Sequence, residues 1–230
     1  MHAPAHRHLA AIALAACTLA CTGCAGGWQP FQSQKKALAD REKYGPTADQ
    51  RMTKLTEDAK VAKTGTEFDQ QEFTAKLAQG ILEEHDARVR SKMVTLAADF
   101  QTQQAIAICK GALQDPDERV RMAACSAWAR RGGPEAVQML ATRYQTDTEL
   151  DVRLRALREL GNLKTDEAIP VLAKALEDPD PAVQYRAVAA LKEVSGRDLG
   201  NDVNAWREWA ADPEGSGAEW SIAETLRKIF

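Results

Sequence analysis

The sequence predicts an all-α protein, an α-solenoid of about four helix pairs with capping helices at its N- and C-terminal ends. Two observations predict this fold. Four stretches of the chain align on the valines Val89, Val120, Val152 and Val183, which are separated by 31, 32 and 31 residues. Aromatic residues make up only 6 % of the 230 residues, while alanine and leucine, two strong helix formers, are plentiful.

The first 24 residues are typical of an export signal. "MHAPAHRH" is short and basic, and the uncharged run "LAAIALAACTLA" that follows is shorter than the ~20 residues of a spanning helix. "LAAC", which ends at Cys17, resembles the lipobox of bacterial lipoproteins, and "CTGC" makes Cys24 the alternative. We interpret residues 1–24 as a lipoprotein-type signal segment that anchors the chain on the periplasmic face of the envelope. An ordinary cleaved signal is the remaining alternative.

Residues 25–45 are polar with little periodicity and are interpreted as a tether, partly helical from Gln34 to Tyr44. Residues 46–66 are expected to form an N-terminal helical cap, and residues 67–196 the repeats. In the last repeat, Thr165 is the predicted cap of a first helix from Asp166 to Glu177. The predicted caps of the second helices are Asp117, Thr148 and Asp180.

The stretches "DPDERVRMAA" and "DPDPAVQYRAVAAL" resemble the HEAT repeat, in the HEAT-like form of roughly 31 residues that was first associated with phycobilisome lyases. This resemblance covers residues 67–196 and implies a ladder of hydrogen bonds between neighbouring repeats. The implied acids are Glu84, Asp115, Asp147 and Asp178, and the implied bases are Arg90, Arg121 and Arg153. Gln184 stands where a fourth arginine is expected, which breaks the ladder at that end.

The resemblance also implies that the second helix of each repeat lines the inner curve of the solenoid. The candidate partner surface there consists of Arg121, Met122, Ser126, Arg153, Arg155, Arg158, Gln184 and Tyr185. Several of these residues are basic, which favours an acidic segment of a protein or peptide partner.

Residues 197–230 depart from the repeat and are interpreted as a Trp-rich C-terminal cap. Asp202 is expected to cap a short helix to Ala211, and a last helix is expected to place Ile222, Leu226 and Ile229 on one face. The alternative is that Trp206 and Trp209 form a docking site, since tryptophan is common at binding hot spots.

Few residues suggest chemistry. The net charge of −3 argues against a nucleic-acid partner, and His85 is the only histidine outside the signal region. Cys109 and Cys125 are expected to be small buried residues. The sequence leaves open whether they form a disulfide with each other. We therefore predict a membrane-tethered, non-enzymatic interaction scaffold without a cofactor. The alternatives are a chromophore-lyase-like helper and an envelope assembly protein that docks through its Trp-rich end.

Overall fold

The computed structural model describes residues 30–213, which form eleven α-helices and one 3₁₀ turn, with no strand in this range. The chain divides into two compact units, residues 1–45 and residues 46–230. In the first unit, α1 (Pro30–Tyr44) is the described element, and the amide of Gly45 donates to the carbonyl of Arg41 at its end. The second unit contains the repeats.

The second unit opens with α2 (Ala48–Thr64) and continues in four helix pairs that alternate along the chain. The pairs are α3 (Glu67–Glu83) with α4 (Ala87–Ala97), α5 (Gln103–Ala112) with α6 (Glu118–Arg131), α7 (Gly133–Thr146) with α8 (Leu150–Asn162), and α9 (Ile169–Ala175) with α10 (Pro181–Ser195). The last described helix is α11 (Val203–Ala211).

The helices form the two layers of an α-solenoid. Each second helix packs on the next one, so that α4, α6, α8 and α10 follow one another in a single layer. At the N-terminal side α2 packs on α4 and α3, and at the C-terminal side α11 packs on α9 and α10. Thus α2 lies where the second helix of a preceding repeat would lie, and α11 lies where the first helix of a following repeat would lie.

The repeated valine is the centre of each unit. Val89, Val120, Val152 and Val183 are all fully buried. Alanines surround them in the second-helix layer, and those that are fully buried include Ala124, Ala127, Ala156 and Ala187. Small side chains at these positions let neighbouring helices approach closely while still burying apolar surface.

Three second helices begin at an aspartate that accepts a hydrogen bond from the amide two residues further on. These are Asp86, Asp117 and Asp180, at 2.9, 2.9 and 2.8 Å. The prediction that Thr148 caps α8 is wrong, since the N-cap is Glu149, which makes no side-chain cap bond. The cap follows the ladder acid by two residues in every repeat, and after Asp147 that position holds Glu149.

The first helix of the last pair also differs from the prediction. Asp166–Ala168 is a 3₁₀ turn, and the α-helix runs only over Ile169–Ala175. Thr165 makes no side-chain cap bond to the turn. Pro170, which has no amide hydrogen, is tolerated in the first turn of an α-helix and therefore marks where α9 begins.

Two second helices, α8 and α10, approach each other closely at Gly161. A Cβ atom added to Gly161 would lie 2.8 Å from the Cα atom and 2.9 Å from the Cβ atom of Ala190. Such distances are well inside van der Waals contact, so only glycine fits there. Gly161 therefore sets the spacing of these two helices.

We expect Gly161→Ala to lower the free energy of unfolding by about 1–3 kcal/mol, because the added methyl group forces α8 and α10 apart. Gly111→Ala in α5 is the matched control, since an added Cβ atom at Gly111 meets nothing within 4 Å. Helix propensity alone should stabilise the control by up to about 1 kcal/mol. Urea unfolding followed by circular dichroism measures both variants, and equal effects of the two would contradict the steric argument.

Candidate functional site

The ladder between repeats consists of arginine–aspartate pairs, and we call each pair a rung. Nε and Nη2 of Arg90 donate to the two carboxylate oxygens of Asp115, both at 2.8 Å. Arg121 and Asp147 form the same fork at 2.8 and 2.9 Å. In the next rung, Nη2 of Arg153 donates to the carboxylate of Asp178, which also accepts from the hydroxyl of Tyr144 at 3.3 Å.

Two of the rungs, those of Arg90 and Arg121, also close the turns that their members touch. Nη1 of Arg121 donates to the carbonyls of Asp115 and Pro116, at 3.0 and 3.1 Å. The carboxylate of Asp147 accepts from the amide of Glu149 at 3.0 Å. One arginine therefore holds the turn of its own repeat and the turn of the next repeat together. Arg90 repeats this pattern through the carbonyls of Glu84 and His85.

The two ends of the ladder differ from its middle. Glu84 accepts a fork from Arg51 of α2, at 3.0 and 3.1 Å, a rung that the sequence analysis missed. At the other end Gln184 donates to the carbonyl of Asp178 at 2.8 Å. Gln184 thus keeps the bond to its own turn that Arg90 and Arg121 make, and within the described residues it forms no rung to a following repeat.

The central rung is the most buried one. The side chains of Asp147 and Arg121 are 1 % and 11 % exposed, and Nη1 of Arg143 lies 3.1 Å from the same carboxylate. Burial by itself raises the pKa of Asp147. Hydrogen bonds from Arg121 and from the Glu149 amide, with the charges of both arginines, more than offset this, so the pKa lies below its ordinary value. The same balance lowers the pKa of Asp115.

A second set of contacts joins the repeats through carbonyl groups at the ends of helices. Arg131, Arg143 and Arg207 donate to the carbonyls of Phe100, Leu113 and Leu176, at 2.7, 2.6 and 2.6 Å. The last turn of a helix leaves carbonyls without intrahelical partners, and a neighbouring cation satisfies them. These arginines were not predicted, because they do not recur at one fixed distance from the repeated valine.

The solvent-facing side of α4, α6, α8 and α10 is called the second-helix face below. Of the residues predicted to line it, Arg158 is exposed and the side chain of Tyr185 is 61 % exposed. Arg155 is half-buried. Arg121 and Arg153 were wrongly assigned to a partner surface, because the ladder occupies their guanidinium groups.

Three other predicted surface residues are also half-buried. Met122 packs against the core, and the hydroxyl of Ser126 donates to Glu159 at 2.7 Å. The amide group of Gln184 is held by the Asp178 carbonyl. These residues therefore shape the second-helix face from beneath and do not project from it.

The tryptophans of α11 are core residues, so the interpretation of Trp206 and Trp209 as a docking site is wrong. They are 0 % and 5 % exposed, and their rings meet edge to face with centroids 5.5 Å apart. Nε1 of Trp206 donates to the carbonyl of Gly200 at 3.0 Å. The predicted last helix, with Ile222, Leu226 and Ile229, lies outside the described residues.

Cys109 and Cys125 are buried free thiols. Burial raises the pKa of Cys109 to about 11 and that of Cys125 to about 12, which suppresses the reactive thiolate form. No group of three or more metal-binding side chains occurs among residues 30–213. Cys17 and Cys24 lie outside the described residues, and within those residues no helix is long and apolar enough to cross a membrane.

The comparisons with known proteins agree with this geometry. A family model described as HEAT repeats matches residues 74–155 and 145–227, which together are more than half of the chain. The chain belongs to the HEAT-repeat family. Proteins built from these repeats are typically non-enzymatic scaffolds that mediate protein–protein interactions. No curated protein matches the chain.

We expect Arg121→Gln to lower the free energy of unfolding by about 3 kcal/mol at neutral pH, because it leaves the carboxylate of Asp147 buried without its fork. Asp147 has a lowered pKa, so its rung stabilises the fold above the ordinary value of 3.8 and loses this effect as the pH falls through the folded value. The unfolding free energies of the wild type and the variant should therefore converge in acid.

The control for this prediction is Arg88→Gln. Arg88 bonds Asp86 with its side chain 58 % exposed, so its loss should change the free energy of unfolding far less than the loss of Arg121. Chemical unfolding at several pH values measures all three proteins. A difference between wild type and Arg121→Gln that does not change with pH would contradict the assignment to Asp147.

Proposed function

We propose that this chain is a non-enzymatic protein–protein interaction scaffold, tethered to a bacterial envelope membrane by a lipid on Cys17, with Cys24 as the alternative. The ladder is the observation that supports it most. Arg90, Arg121 and Arg153 hold neighbouring repeats at fixed turns, which makes the second-helix face a preorganised surface. A preorganised surface loses little conformational freedom when a partner binds.

The burial pattern supports a binding role over a catalytic one. In the "DPDERVR" stretch, Asp115 pairs with Arg90 and Arg121 with Asp147 of the neighbouring repeats, so that these groups do not converge on an open cleft. The two thiols of the described residues are buried with raised pKa values. Catalysis requires convergent groups that a substrate can reach.

The tether rests on the sequence of residues 1–24, with its basic start, apolar core and crowded cysteines. Along the chain, the polar tether of residues 25–45, which includes α1, would lie between the lipidated cysteine and the repeats. Such an arrangement would present the scaffold on the periplasmic face of the membrane.

The tether is tested by the intact mass of the mature chain, recovered from the membrane fraction of its native host. We expect cleavage before Cys17 and an added diacylglyceryl group. Cys17→Ala should abolish the lipid and release the chain from the membrane, whereas Cys24→Ala should leave both unchanged. A full-length, unmodified chain in the cytosolic fraction would overturn the tether and favour the chromophore-lyase-like helper.

The scaffold role is tested by site-specific photo-crosslinking in the native host. A benzophenone amino acid at Tyr185, which is 61 % exposed on α10, should crosslink to a discrete protein partner. The control is the same amino acid at Gln138, which is exposed on α7 in the other helix layer. Identical crosslinks from both positions, or none from Tyr185, would contradict a binding role of the second-helix face.

A further inference from the structure

Basic side chains are concentrated on the second-helix face of the last two repeats. The position three residues after the buried valine is occupied by Lys92, Ala123, Arg155 and Arg186 in the four successive repeats. The position six residues after the valine is occupied by Thr95, Ser126, Arg158 and Ala189. As a result α8 and α10, which pack directly on each other, carry three arginines on this face.

These arginines have little counter-charge among the described residues. Nη1 of Arg155 lies 3.4 Å from Glu159, a long contact, and Glu159 also accepts shorter hydrogen bonds from Ser126 and Asn162, at 2.7 and 2.8 Å. Within residues 30–213, no hydrogen bond or ion pair is made by the side chains of Arg158 and Arg186. Among the described residues, Arg155 is therefore the one of the three guanidinium groups with a carboxylate contact, and that carboxylate is already bonded by Ser126 and Asn162.

Arg186 is the most informative of the three. Its Nε atom is buried and has no hydrogen-bond partner. A buried donor without an acceptor costs free energy, and nearly all such groups in folded proteins are satisfied by something. Because this Nε atom is inaccessible to solvent, an acceptor reaches it only when the Arg186 side chain reorients. A bound carboxylate that induces this reorientation removes the cost, which gives it an advantage beyond simple charge attraction.

Apolar side chains border the arginines. Tyr185 is 61 % exposed on α10, and Leu154 of α8 is half-buried at the equivalent position, two residues after the valine. Guanidinium groups bind carboxylates through paired hydrogen bonds, and an exposed tyrosine ring next to them offers apolar contact area. The face combines the two kinds of contact that an acidic peptide with apolar residues would use.

We propose that the solvent-facing side of α8 and α10 binds an acidic segment of a partner protein, whose carboxylates pair with Arg155, Arg158 and Arg186. The site rests on the scaffold function proposed above and assigns the chemistry of the partner. Tyr185 and Leu154 contact the apolar side chains of that segment. Arg186 is the central anchor, because the bound carboxylate supplies the acceptor that its Nε atom lacks.

The observations favour a peptide over a lipid surface. Membrane recruitment by charge uses clusters of about four to eight Lys or Arg side chains at the surface. Here the face carries three arginines, and two of them, Arg155 and Arg186, are half-buried. A flexible segment can reach such groups, whereas a flat bilayer cannot.

The test uses the purified full chain and a fluorescein-labelled peptide of alternating glutamate and serine, with fluorescence anisotropy as the readout. Binding should weaken with ionic strength, and a peptide of alternating glutamine and serine should not bind. Arg186→Gln should weaken binding by about tenfold or more, the loss expected for one charge-assisted pair. Arg186→Lys should restore only part of the affinity, because an ammonium group cannot form the paired bonds.

Arg119→Gln is the matched control, since Arg119 is exposed at the start of α6 and its loss changes the net charge equally. It should alter the affinity by less than about twofold. Arg158→Gln provides a second variant, because an exposed side chain without a protein partner can be removed without affecting folding. Equal effects of the Arg186, Arg158 and Arg119 substitutions would overturn the proposal.

Two further measurements separate the explanations. Binding to vesicles of phosphatidylglycerol and phosphatidylcholine that is lost in Arg186→Gln would assign the face to lipid and overturn the peptide site. If the chain still crosslinks to a protein through the benzophenone at position Tyr185 but does not bind the glutamate peptide, the scaffold function stands and the acidic partner is overturned. If neither the crosslink nor the binding of the glutamate peptide is observed, both the scaffold function and the acidic-peptide site are overturned.

Discussion

The structure depends on one repeated interaction, the fork between an arginine in the second helix of one repeat and an aspartate in the turn of the next. Hydrophobic burial holds stacked helices together but is non-directional, so it does not by itself fix their register. The fork is directional. Arg121 reaches Asp147 with two nitrogens and its own turn with a third, so a shift of either repeat would leave a buried charge unpaired.

The position of an arginine relative to the repeated valine decides its role. Arg153 directly follows Val152, points to the turn of the next repeat and joins the ladder. Arg155 lies two residues further along the same helix, on its solvent-facing side. Among the described residues its carboxylate contact is Glu159, which Ser126 and Asn162 also bond. Arginines directly after the valine thus stabilise the stacking of repeats, whereas an arginine three residues after the valine is available to bind a partner.

The repeat made much of the fold predictable. A period of 31 or 32 residues, with an acid five residues before each valine and an arginine after it, places both members of a rung from sequence alone. Arg51 escaped this reasoning, because it is 33 residues from Glu84 in a helix that carries no recognisable repeat. The carbonyl contacts of Arg143 and Arg207 escaped it for a different reason, since they depend on how helices in the first-helix layer meet.

The residues that sequence reasoning placed on the surface show where such reasoning stops. Tryptophan is common both in binding sites and in cores, and only the packing of α11 on α9 and α10 showed that Trp206 and Trp209 are core residues. Arg186 shows the opposite case. No sequence motif singles it out, and only its buried Nε atom marks it as a group whose hydrogen bonding the fold leaves incomplete.

The two ends of the described solenoid and its basic face follow from the same constraint. Because α2 supplies Arg51 to Glu84, the first complete repeat already has a rung on its N-terminal side. At the C-terminal side Gln184 replaces the arginine, and α11 covers the last pair through Trp206 and the Arg207 contact to Leu176. Within the described residues the ladder therefore ends at Asp178, where Gln184 bonds the carbonyl without adding a charge to its half-buried position. Arg186, two residues further along α10 on the solvent-facing side, is half-buried with an Nε atom that no described residue satisfies, so the fold leaves to a partner's carboxylate the hydrogen bonding that the ladder completes elsewhere.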